Sequence, residues 1–88
     1  MGVGVVKAFG QEFRIDLGEN HWLRWNDEGY VGGSILHIRP DGTECVMGFN
    51  LLPGGWTIER VDPLTITPSL LCSCGDHGFI REGKWIRA

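Results

Sequence analysis

Apolar and polar residues alternate with a period of two along much of this chain. In Glu12-Phe13-Arg14-Ile15-Asp16-Leu17 the apolar Phe13, Ile15 and Leu17 share one side, while Glu12, Arg14 and Asp16 share the other. That is the pattern of a half-buried strand. Gly10-Gln11 just before it is turn-like, so residues 3–9 are expected to pair with it as a hairpin. Residues 21–25 read as a further strand, closed by the turn cluster Asn26-Asp27-Glu28-Gly29. Residues 34–39 form the next, ended by Pro40-Asp41-Gly42. Proline fixes φ and glycine accepts positive φ, so this triplet presets a tight reversal, and residues 43–49 should return antiparallel.

The second half continues in the same manner. Pro53-Gly54-Gly55 breaks the chain ahead of a short strand at Trp56-Thr57-Ile58-Glu59. Residues 65–71 are apolar and extended, but Pro68 has no N–H to give, which predicts an edge strand or a bend at the proline. Residues 78–81 and 84–87 flank Glu82-Gly83, a spacing suited to a two-residue hairpin that sets Ile80 opposite Trp85 and Phe79 opposite Ile86. No segment shows a sustained 3.6-residue period. The expected fold is therefore mainly β: a small antiparallel sheet or sandwich built of short hairpins. Its 88 residues form a single domain, with strands of unassigned type over 1–33 and a knuckle-bearing β region over 34–88.

Composition adds a constraint. A domain of this length has a thin core, and such domains often need a disulfide, a metal or a partner subunit as a staple. The apolar share, 42%, is too high for a disordered chain. No apolar run approaches the ~18 residues of a membrane span. The net charge of −3, from eight basic against eleven acidic residues, argues against nonspecific nucleic-acid binding. Met1-Gly2-Val3-Gly4-Val5-Val6-Lys7 lacks the basic and apolar regions of a signal peptide, and Val6 stands where a myristoylation signal wants Ser or Thr. A cytoplasmic setting with three reduced cysteines is expected, and an odd count suits no disulfide framework. The four tryptophans, Trp22, Trp25, Trp56 and Trp85, are read as fillers of the thin core rather than as a stacking platform for bases.

One stretch carries chemistry. Leu71-Cys72-Ser73-Cys74-Gly75-Asp76-His77-Gly78 brings together two thiols and an imidazole, and Cys74-x-x-His77 has the spacing of a metal-binding knuckle. Gly75 and Gly78 would let the backbone bend tightly around an ion. Structural zinc needs four ligands, and Cys74, His77, Cys72 and Cys45 are the candidates. On a regular strand Cys72 and Cys74 share a face, so both reach one ion only if the chain curls; otherwise His37 or His21 substitutes. The plain alternative is that Cys45 and Cys72 are core residues. Ser34, His37 and Asp41 have no arrangement that makes a triad, and no helix follows Gly32-Gly33 to make a phosphate loop. The expectation is a non-enzyme.

The second half also resembles short uncharacterised actinobacteriophage proteins and, through them, a wider prokaryotic zinc-binding family of unknown function. The residues concerned are Leu64-Thr65-Ile66-Thr67-Pro68-Ser69-Leu70, then residues 74–86 with Cys74-Gly75-Asp76-His77 and Phe79-Ile80-Arg81-Glu82-Gly83-Lys84-Trp85-Ile86, with Trp56-Thr57-Ile58 upstream. The family's upstream Cys-rich knuckle survives here only as Cys45, with Met47 where a second cysteine is expected, so Cys72 stands as a compensating ligand or the site is incomplete. The resemblance implies a phage-encoded accessory protein in the host bacterial cytoplasm and no particular reaction. The function expected is a metal-stabilised protein-interaction module for a host or phage protein, with homo-oligomerisation a further expectation from the thin core. The alternatives are a single-stranded nucleic-acid-binding zinc knuckle and, after it, a small metalloenzyme.

Overall fold

The computed structural model describes residues 6–8, 11–26 and 31–88, with only strand positions given for 6–8 and 11–13. Two short strands, β1 (Val6–Ala8) and β2 (Gln11–Phe13), pair as an antiparallel hairpin. The continuous strand expected over residues 12–17 therefore divides at Arg14. Past that point the chain changes partner, Arg14 donates its N–H to the Leu23 carbonyl at 3.2 Å, and β3 (Ile15–Gly18) pairs with β4 (His21–Trp25). The rest of the expected first hairpin, at residues 3–5 and 9–10, and the turn at 27–29 lie outside the described residues.

Tight reversals set the first sheet. Glu19 and Asn20 join β3 to β4 with φ of 53° and 59°, a pair of positive values that matches the twist of antiparallel neighbours. Strand β5 (Gly32–Ile38) starts two residues before its expected position and returns through Pro40-Asp41-Gly42 into β6 (Glu44–Asn50). At that turn the Thr43 hydroxyl and N–H donate to Asp41 Oδ1 at 2.6 and 2.9 Å, holding the Asp41 carboxyl below its ordinary range. The sheet order is β3-β4-β5-β6.

The second sheet holds β7 (Thr57–Arg60), β8 (Thr65–Leu71), β9 (His77–Arg81) and β10 (Lys84–Arg87), in the order β10-β9-β8-β7. Its last hairpin has the expected register, Ile80 with Trp85 and Phe79 with Ile86, across Glu82 and Gly83 at φ of 52° and 77°. Strand β8 is interior, not an edge. The missing Pro68 N–H is met by a break in pairing: contact with β9 runs at Ile66↔Ile80 and resumes only at Leu70↔Gly78.

The inner faces of the two sheets meet in one core. Leu17, Leu23, Ile35, Met47 and Phe49 come from the first sheet, and Ile66, Leu70, Ile80 and Trp85 from the second. Full burial of such a side chain stabilises by about 1.5–3 kcal/mol. At one end of the sandwich Phe49 lies edge-on between Trp25 and Trp56, at centroid distances of 5.9 and 6.3 Å. Trp22 faces the other way and packs with Val46 around Leu36 on the outer face. Three of the four tryptophans thus fill or flank the core.

Candidate metal centre

Sheet register builds the site. His21 pairs with His37, and His37 with Cys45, so three strands present one row of side chains at the end of the inner face. The next row along the same strands is Leu23, Ile35 and Met47, which belongs to the core. The two histidines are therefore continuations of a buried stripe, at 4% and 2% exposure.

The second sheet supplies the other half. Strand β8 ends at Leu71, and the chain then curls: the Cys72 N–H donates to the Asp76 carbonyl at 2.8 Å and the Gly75 N–H to the Cys72 carbonyl at 2.9 Å. Gly75 sits at φ 101°, a conformation that side-chain-bearing residues rarely adopt. This curl frees Cys72 and Cys74 from strand alternation and turns both thiols to the first sheet. Gly78 serves differently from the expectation. It is a β9 residue under the Trp85 ring, and an added Cβ would lie 2.5 Å from Trp85 Cε2 and Cζ2.

His37, Cys45, Cys72 and Cys74 come together with one ligand atom each, all within 4.8 Å of one another. This group could hold a metal ion. His37 Nε2 lies 3.2 Å from Cys74 Sγ, and the Cys45 and Cys72 sulfurs are 3.5 Å apart. A tetrahedral zinc with ordinary bond lengths separates such atoms by about 3.5–3.8 Å, close to the separation of these two pairs.

Three of the four expected ligands are in this group; His77 is not. Its exposed ring turns along the second sheet, with Nε2 3.0 Å from Ser69 Oγ and the ring 6.5 Å from that of Phe79. As the first residue of β9, His77 belongs to the strand rather than to the curl. His37, expected only as a stand-in for Cys72, occupies the fourth place. The pairing of His37 with Cys45 follows from the Asp41-Gly42 turn, so counting back from that turn was the signal that could have found it.

The surroundings bias the thiols in opposite directions. The Asp76 backbone N–H, followed by the His37 ring, brings the Cys74 thiol down to about 6. Burial pushes the Cys72 thiol up to about 11. A divalent cation would hold both as thiolates. The Arg39 guanidinium donates to Thr43 Oγ1 at 2.9 Å, and the neighbouring Cys74 and Cys45 thiols raise its pKa. Zinc with three thiolates and a neutral imidazole would carry one negative charge, which Arg39 beside the thiols would offset.

A second layer lies behind His37. His21 stacks on Trp85 at 4.2 Å and on His37 at 5.2 Å. Its Nδ1 is 2.6 Å from the Glu19 carbonyl oxygen and its Nε2 is 2.6 Å from Asp76 Oδ2. Both ring nitrogens are thus engaged, one by the β3–β4 turn and the other by the curl of the second sheet. Asp76 Oδ2 is also 3.8 Å from His37 Nε2, and His21, His37 and Asp76 form a second group able to hold an ion. No sequence pattern singled out Asp76. A cavity of about 640 Å³ opens here, with Glu19, Arg39, Cys74, Asp76, His77 and Arg87 among its walls.

The fold and site together define an all-β protein with a three-cysteine, one-histidine group bridging its two four-stranded sheets. The chain matches no family model, no curated protein and no solved structure. The resemblance drawn from its second half therefore rests on those residues alone. Among the described residues no helix is long and apolar enough to cross a membrane.

Proposed function

We propose that this chain is a zinc-stapled protein-interaction module. One observation carries the zinc: His37 and Cys45 belong to β5 and β6 of one sheet, while Cys72 and Cys74 follow β8 of the other. An ion there would cross-link the two halves of a thin core. Thiolates with one imidazole, grouped within 4.8 Å, suit zinc over the hard cations, which take oxygen ligands. Four protein ligands make a closed structural site.

The interaction role draws support from surface left apolar: Val31, Leu52, Val61, Leu71 and Ile86 are all exposed, Val61 at 77% and Leu71 at 66%. The partner we propose is a host or phage protein, with a second copy of the chain as the other possibility. The phage origin and the host-cytoplasm setting belong to the same proposal and are supported only by the sequence resemblance. The nucleic-acid alternative draws on a zinc knuckle and exposed tryptophans; Trp25, Trp56 and Trp85 pack in or against the core, which leaves Trp22 on the outer face.

Elemental analysis and native mass spectrometry, on protein purified without an affinity metal, test the zinc. One zinc per chain is expected, and none even after reconstitution would refute the staple. Capture from host lysate at native expression tests the module; enrichment of nothing above background would remove that role.

A further inference from the structure

We infer that Cys74, when zinc-bound, is an acceptor site for small, soft alkylating electrophiles. The inference rests on the zinc reading above and adds a chemistry to it. The three thiols differ in access. Cys72 is buried at 3% exposure and Cys45 is half-buried, whereas Cys74 is exposed and forms part of the wall of the 640 Å³ cavity. A structural zinc site commonly encloses its sulfurs. Here one sulfur faces a space large enough for a small molecule, and reaching it requires no unfolding.

The chemistry follows from coordination. Thiolate rather than thiol is the nucleophile, and metal binding removes the proton outright. With three thiolates the centre is electron-rich, and the sulfur with free access is the one that can attack. An electron pair of Cys74 Sγ forms the S–C bond, the bond from carbon to its leaving group breaks, and that group departs as an anion. No oxidant, reductant or proton donor is required. Arg39 and Arg87 on the cavity wall are placed to receive the departing charge. The product is a thioether, a weaker ligand, so alkylation would loosen the staple at its exposed corner. The substrate class is a carbon electrophile with a good anionic leaving group, small enough to enter the cavity.

The test uses the zinc-loaded full chain with iodoacetamide as the probe. Samples quenched over time are peptide-mapped by mass spectrometry, and zinc is counted in each. Alkylation of Cys74 at least about tenfold faster than of Cys45 or Cys72, starting while zinc is still bound, is the expected result. Cys74 left unmodified while zinc stays bound overturns the inference, as does simultaneous modification of all three cysteines at the rate of zinc loss. A chain that holds no zinc before the reagent is added overturns the staple and this inference together, and the metal count separates that outcome from the others.

Discussion

His21 Nε2 and Asp76 Oδ2 lie 2.6 Å apart, joining strand β4 of one sheet to the curl that follows β8 of the other. This contact needs no metal. It holds the curl bearing Cys72 and Cys74 against the row bearing His37 and Cys45. Replacing Asp76 with alanine leaves the buried His21 ring with one nitrogen unanswered, at a cost of about 1–3 kcal/mol. Urea unfolding of metal-free Asp76→Ala against metal-free wild type should show that loss. Zinc affinity, measured by chelator competition, should fall as well, because the ligands are less well pre-positioned.

The fourth ligand is decided by two histidine substitutions. His37→Asn should abolish stoichiometric zinc, whereas His77→Asn should retain one zinc per chain and lose only its contact with Ser69. Native mass spectrometry reads both. Zinc retained in the first variant and lost in the second would restore the Cys74-x-x-His77 knuckle.

Removing the metal should cost more than any surface change. A chelator in reducing buffer is expected to lower Tm by at least about 10 °C, since binding energy directed at the folded state is folding energy. Scanning calorimetry with and without chelator measures the shift. An unchanged Tm would mean that the thiols are ordinary core residues.

Gly78→Ala tests the packing of the last hairpin. The new Cβ would meet the Trp85 ring at 2.5 Å and the Ile86 carbonyl oxygen at 2.7 Å. Neither the ring nor the backbone can yield cheaply, so a loss of about 1–3 kcal/mol is expected in chemical denaturation. A neutral outcome would show that the Trp85 ring moves freely, and that its stack on His21 is loose.

Much of this architecture was legible in the chain. Alternation located His21–Trp25 and the last hairpin, because turns such as Asp41-Gly42 and Glu82-Gly83 fix register as well as position. The candidate metal group is only partly legible. Cys45, Cys72 and Cys74 stand out by residue type, whereas spacing along the chain points to His77 and the fold groups His37 with the three thiols. His37 reaches Cys74 across 37 residues, a relation set by the stacking of two sheets, which no local pattern encodes. The break of the first expected strand at Arg14 was hidden for a similar reason: alternation runs unchanged through a point where the chain changes partner.

The aromatic end of the sandwich gives the centre its mechanical meaning. Trp25, Phe49 and Trp56 grip one end through ring contacts that no change of metal or thiol chemistry can release. The other end is fastened by four side chains around one small volume. The molecule is built like a clasped book, with an aromatic spine and a chemical latch. Undoing the latch should part the covers from one side only, so amide exchange should accelerate first around the curl and the ends of β5 and β6, while the spine keeps its protection.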